Sequence, residues 1–133
     1  MKPRRRVGTI ICQEKRFLLV KTTKHNNTHY YDAGGGIEVG ETSIQTIHRE
    51  IKEELNAKVG DATYISSRTF PSHCHPKQIY EEEIFIVTLL TEPTPASEID
   101  EIRWVTYEES KSIPIMQSTR ELIEIAKERN LID

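Results

Sequence analysis

Apolar residues along this chain recur in two different periods. Val7-Gly-Thr-Ile-Ile-Cys12 and Arg16-Phe-Leu-Leu-Val-Lys21 are β-rich runs. The polar Gln13-Glu14-Lys15 between them predicts a hairpin. Lys24 to Thr28 is polar throughout and reads as a loop, and Tyr30-Tyr31 begins a further short strand. The period then changes. Ile44, Ile47, Ile51 and Leu55 recur at helical spacing and predict a helix with one apolar face. Thr42 is its N-cap, Gln45 completes a capping box, and Asn56 suits the left-handed turn that ends such a helix.

Strand character returns over Ala62 to Phe70 and Ile79 to Thr91, and Pro93 and Pro95 then break the chain into a loop. Glu101-Ile-Arg-Trp-Val-Thr106 predicts a short last strand, and Met116 to Asn130 a C-terminal amphipathic helix. Its apolar residues Leu122, Ile123, Ile125 and Ala126 are expected to face the core. Several strands with few, long helices predict an α/β fold, a mixed sheet covered by helices. The chain has no internal repeat, low-complexity segment or interdomain linker.

A length of 133 residues predicts one domain over 1–133, large enough for a proper core. The net charge of −3 gives no global attraction to nucleic acid or anionic lipid. The basic cluster Lys2, Arg4, Arg5, Arg6 reads first as a solvated start to a strand, and second as a phosphate-binding arm. No apolar run approaches a membrane span, and no signal-peptide core follows the basic start. Two cysteines, Cys12 and Cys74, allow at most one bridge. Cys12 lies in an apolar run, so a buried free thiol and a reducing cytoplasm are expected. His73-Cys74-His75 has the residue types of a metal site but no second ligand cluster beside it.

The predicted helix carries an apparent defect. At about 100° per residue, Glu50, Glu53 and Glu54 fall on one stripe at the edge of the apolar face. Like charges one turn apart repel, and carboxylates near a helix C-terminus oppose its dipole. A divalent cation reverses that sign, because three carboxylates supply the hard oxygens that Mg²⁺ or Mn²⁺ prefers. An exposed acidic face is the plain alternative. Gly34, Gly35, Gly36 and Gly40 form a loop whose backbone can approach a phosphate or a metal, and Arg49 sits beside the acids. Loop, acids and arginine together favour a metal-assisted phosphoryl site.

These residues closely resemble the Nudix box, G-x5-E-x7-R-E-U-x-E-E-x-G-U. Gly35 is followed after five residues by Glu41, and after seven more by Arg49-Glu50-Ile51-Lys52-Glu53-Glu54. Every charged position of the pattern matches. The stretch Gly35 to Ala57 is under a fifth of the chain, and the order of elements around it is also similar to a Nudix domain. Two positions depart: Asn56 replaces the box glycine, and Ala33 stands where a proline often precedes the glycines.

The resemblance implies a Nudix-type α/β/α sandwich with a mixed sheet. It implies a pyrophosphohydrolase that splits a nucleoside diphosphate linked to another group. Glu50, Glu53 and Glu54 would bind Mg²⁺ or Mn²⁺, with the Gly34 carbonyl as a further ligand. Arg49 and Glu41 would orient the carboxylates, or Glu41 would tie the loop to the helix. The general base comes from the box or from a later loop, where Glu98 is similar in placement to such a base. Glu81, Glu82 and Glu83 are weaker candidates, because on a strand Glu82 faces opposite to its neighbours. Tyr30, Tyr31, Phe70 and Tyr80 could stack on a base but read first as packing residues. His73 and His75 read first as an exposed loop. The implied partner is a small nucleotide-type molecule, with a capped RNA end as the one nucleic-acid exception; monomer and homodimer stay open. The rival reading is a catalytically inactive Nudix module that binds a nucleotide or metabolite.

Overall fold

The computed structural model describes residues 2–73, 75 and 77–133. In chain order the elements are β1 (Arg4–Ile10), β2 (Cys12–Gln13), β3 (Arg16–Lys21), a 3-10 turn (Lys24–Asn26) and β4 (Gly34–Gly36). There follow α1 (Ser43–Leu55), β5 (Val59–Pro71), β6 (Ile79–Leu89), β7 (Glu101–Val105), α2 (Tyr107–Ser110) and α3 (Gln117–Glu128).

The larger sheet has the order β4-β1-β6-β5. It is mixed: β1 runs parallel to β6, whereas β4 and β5 pair antiparallel. A smaller antiparallel sheet has the order β2-β3-β7. One core cluster joins Val7 and Phe85 of the larger sheet to Ile47, Ile51 and Leu55 of α1. A second joins Ile10 and Ile84 to Leu122, Ile123 and Ala126 of α3. The sheet therefore has a helix on each face, the expected α/β/α arrangement. Fully burying a side chain such as Ile51 contributes about 1.5–3 kcal/mol, so the two clusters fix both helices.

Local signals act as the sequence predicts at α1. Thr42 accepts from the Gln45 amide at 3.1 Å and the Gln45 side chain accepts from the Thr42 amide at 2.9 Å. Asn56 closes the helix in the left-handed region, φ 48° and ψ 42°, a conformation in which asparagine replaces glycine at low cost.

The structure corrects five expectations. The run Val7–Cys12 is divided between the two sheets, and the hairpin forms from Cys12 and Gln13 alone, opposite Phe17 and Arg16. Glu14 (φ 50°) and Lys15 (φ 63°) have the positive φ of a two-residue turn whose twist suits a hairpin. Ile44 does not join the apolar face; it is 41% exposed in the first turn, beyond the edge of the core. Cys12 is half-buried rather than buried, although burial still pushes its thiol up to about 12. Arg4 and Arg5 are exposed as expected of a solvated strand start, but Arg6 is not: β1 carries it inward beside Glu82.

Tyr30 and Tyr31 make single bridges, to Ile115 and Val20, in place of a strand. The metal and disulfide readings of Cys74 fall outside the described residues. Among the described residues no helix is long and apolar enough to cross a membrane.

Candidate active site

The glycine loop reaches the helix because β4 is the antiparallel neighbour of β1, with Gly34, Gly35 and Gly36 opposite Gly8, Val7 and Arg6. Close approach explains Gly35. A Cβ there would stand 2.5 Å from the Glu50 carboxyl carbon, so any side chain would displace the acid. The glycine-loop backbone and the Glu50 side of α1 thus share one wall.

Arg49 organises that wall. Its Nε donates to Glu41 Oε2 at 2.7 Å, its Nη2 to Glu41 Oε1 and to the Gly36 carbonyl at 2.9 Å each, and its Nη1 to Glu50 Oε1 at 2.7 Å. Glu53 and Glu38 stand further off, at 3.6 and 3.7 Å from Nη1. Glu41 also accepts from the Glu38 amide at 3.0 Å and from Thr46 Oγ1 at 2.8 Å. Bonds from Arg49 first, then from that amide, hold the Glu41 carboxyl down at about 2. Through these bonds Glu41, in the loop before α1, is tied to Arg49 on the helix.

Glu54 lies deeper, 5% exposed, with Oε1 accepting from the Gly34 amide at 3.0 Å. Burial pushes its carboxyl well above the usual range, more than that amide lowers it, and Glu50 and Glu98 push the same way. Glu50 is raised too, mainly by burial. Glu50 has Arg49 as its counter-ion, whereas Glu54 has the Gly34 amide and the more distant charge of Arg6, and a carboxylate so placed is costly in a protein interior.

The loop before β7 closes the same end of the helix. The Thr94 and Ala96 amides donate to the carbonyls of Leu55 and Glu54, at 2.8 and 3.0 Å. Glu98 is exposed at the end of this loop, and its charge acts on Glu50, Glu54 and Tyr31.

The structure therefore brings together Gly34, Glu41, Arg49, Glu50 and Glu54. Glu53 stays 55% exposed on the same stripe, with its side chain turned to solvent. Among the described residues no three acidic, histidine or cysteine side chains already converge as metal ligands. Glu50 is engaged by Arg49, and one Glu54 oxygen by the Gly34 amide. Glu82 leaves the candidate list: it is 2% exposed and paired with Arg6 and Arg68 at 2.9 and 2.7 Å. Glu83 is taken by Arg5 and by Ser43 Oγ.

Sequence reasoning undervalued three aromatics and Arg6, whose phosphate-binding reading it ranked second, and missed Asp32. Tyr30 is core, as expected, but Tyr31, Phe70 and Tyr80 line an open cavity with Arg6 and Asp32. The parallel register Arg6↔Glu82 creates this grouping, and no local pattern encodes it.

Comparison with known proteins agrees with the fold and the motif. A family model described as a NUDIX domain matches residues 2–124. The NAD-capped RNA hydrolase NudC of Erwinia tasmaniensis is 43% identical over 54 residues, covering 41% of this chain and 21% of that protein. The enzyme of the same name from Escherichia coli O1:K1 / APEC is 28% identical over 104 residues, 78% of this chain and 39% of that protein. This chain thus spans less than two-fifths of the length of these curated relatives. The solved NUDIX hydrolase from Nitrosomonas europaea superposes with a TM-score of 0.83 at 18% identity, over 98% of this chain and 93% of that one. With the match running through nearly all of its length, the chain belongs to the NUDIX family.

Proposed function

We propose that this chain acts as a single NUDIX domain over 1–133. Its reaction is the Mg²⁺-dependent hydrolysis of a pyrophosphate bond in a nucleoside diphosphate linked to another group. The observation that carries the reading is the wall on which Arg49 holds Glu41, Glu50 and the Gly36 carbonyl together while Glu54 lies against Gly34. The donor set fits a hard divalent cation: clustered carboxylate oxygens, two of the groups raised by burial. Glu50, Glu53 and Glu54 would hold Mg²⁺ or Mn²⁺, with the Gly34 carbonyl as a further ligand. Bound there, the cation supplies neutralisation of phosphate charge and a more acidic water.

The chain's own residues do the rest. Glu41 fixes the plane of the Arg49 guanidinium, and Arg49 fixes the direction of Glu50. Glu98 accepts the proton of the attacking water from the rim of the site. Water adds to one phosphorus of the diphosphate, the bridging P–O bond breaks, and a monophosphate leaves with a second phosphorylated fragment. A nucleotide substrate fits the cytoplasmic setting that the cysteines suggest.

Hydrolysis across nucleoside diphosphate derivatives with Mg²⁺ tests the reading. NAD and NAD-capped RNA belong on that panel because two relatives are named for the latter. Release of a nucleoside monophosphate from at least one compound, abolished by Glu53→Gln or Glu54→Gln, is the expected result. Nucleotide binding with no turnover in Mg²⁺ or Mn²⁺ overturns it in favour of an inactive binding module.

A further inference from the structure

Arg6 stands apart from the acidic box, yet it touches the space on both sides of it. Its Nε donates to Glu82 Oε2 at 2.9 Å. Among the described residues, Nη1 and Nη2 have no hydrogen-bond partner. No buried side-chain nitrogen or oxygen among them is left unsatisfied, so these two atoms face open space. Nη2 lies against the glycine loop, 3.4 Å from where a Gly34 Cβ would stand. The remaining oxygen of Glu82 is occupied by Arg68, at 2.9 Å from its Nε. Glu82 is thus shared, and the outer edge of the Arg6 guanidinium stays available.

Two cavities meet at this edge. One, of about 520 Å³, runs past Gly36 to Glu50 and therefore to the acidic wall. The other, of about 160 Å³, is lined by Tyr31, Asp32, Phe70, Tyr80 and Thr119. Arg6 and Tyr80 border both, with the guanidinium 5.5 Å from the Tyr80 ring centre. Ligand pockets usually measure about 300–1,000 Å³, so the smaller cavity takes one end of a ligand and not the whole.

Its walls specify that end. The rings and the small volume suit a flat heterocycle. Asp32, 4% exposed, accepts from Thr119 Oγ1 at 2.7 Å and from the Thr9 amide at 3.2 Å. A carboxylate has about four lone-pair sites, so Asp32 can still accept an N–H from a ligand. At the mouth, a guanidinium edge with free N–H groups matches a phosphate better than any other common ligand group.

We propose that Arg6 anchors the phosphate next to the nucleoside, with the base in the Tyr31–Asp32 cavity, and so directs the diphosphate bridge toward Glu50. The direction of the bridge rests on the hydrolase reading; the nucleoside monophosphate site does not.

Calorimetric titration in EDTA with adenosine and guanosine 5′-monophosphate, and with inorganic phosphate, tests the site without turnover. At least one nucleoside monophosphate binds the wild-type protein more tightly than inorganic phosphate. Arg6→Lys and Arg6→Met weaken that binding about tenfold or more, since each removes the forked contact. Lys111→Met, which removes an equal charge from a distant exposed position, leaves it unchanged. Arg6→Lys keeps a cation beside Glu82, so it decides the matter if Arg6→Met does not fold. Equal affinity of wild type and Arg6→Lys overturns the proposal, as does a wild-type protein that binds no nucleoside monophosphate without metal. Metal-free binding that depends on Arg6, in a protein that hydrolyses none of the substrate panel, supports this site and sinks only the hydrolase reading.

Discussion

The Arg49 guanidinium meets the Glu41 carboxylate edge to edge, with Nε and Nη2 donating at 2.7 and 2.9 Å. One side chain thereby joins the loop before α1 to the second turn of the helix. Because the same guanidinium also reaches Glu50 and the Gly36 carbonyl, its plane sets the direction of the acid. Lysine offers a point charge without the fork and cannot serve all three partners. Arg49→Lys is expected to lower kcat about 10–100-fold, the usual cost of losing a group that orients a ligand, with little change in the far-ultraviolet circular dichroism. Unaltered kcat in steady-state hydrolysis would remove Arg49 from the orienting role.

Glu50 and Glu54 are one helical turn apart, and burial raises both carboxyls. Their charged forms oppose folding in the absence of a cation. Adding Mg²⁺ should raise the thermal midpoint of the wild-type protein, because binding to the folded state alone stabilises it. The double variant Glu50→Gln with Glu54→Gln should be more stable than wild type without metal and gain nothing from Mg²⁺. Calorimetric scans of both proteins with and without the ion check this; an equal rise in both would place the ion elsewhere.

Glu41 behaves in the opposite sense. Its carboxyl is held at about 2, below an ordinary value of 4.5. A lowered folded-state pKa means that the unfolded chain takes up the proton first, so stability falls as pH falls. The contribution is complete above pH about 4.5 and is lost as pH drops toward about 2. Urea midpoints across this window should decline less steeply in Glu41→Gln than in wild type. Parallel curves would mean that the Arg49 pair contributes nothing to folding.

Glu82 balances two buried or half-buried guanidinium groups, those of Arg6 and Arg68. Removing its charge leaves two neighbouring guanidinium groups without the carboxylate they share. Glu82→Gln should cost about 3–5 kcal/mol in chemical denaturation, the range for breaking a buried ion pair from one side. Glu121→Gln, which removes the exposed partner of Arg68, should cost less than about 1 kcal/mol. Similar losses for the two variants would contradict the weight given to burial.

The α1 segment was legible in the linear chain because its determinants lie within one or two turns. A capping box needs residues three apart, an apolar face needs the 3.6 period, and the left-handed end needs one suitable residue, Asn56. The box acids were legible for the same reason, since helical spacing alone sets their stripe. The exception at Ile44 is instructive. Periodicity assigns it to the core, but whether a first-turn residue is covered depends on what the tertiary fold packs over it, and Ile44 stays 41% exposed.

The division of Val7–Cys12 between two sheets was illegible because both halves have equal strand character. What separates them is the choice of partner: β6 for one half and β3 for the other.

The sequence by itself determined the helix, its caps, the stripe of Glu50, Glu53 and Glu54, and the glycine loop beside them. Each of these follows from steric and hydrogen-bonding preferences that act over a few residues. Only the tertiary structure decided that Glu54 is buried, that Glu53 is exposed, and that Arg6 meets Glu82 across 76 positions of chain. Those outcomes depend on which strands pair and in what register. A buried charge is tolerated only where distant chain supplies its partner, and no local pattern encodes that distance.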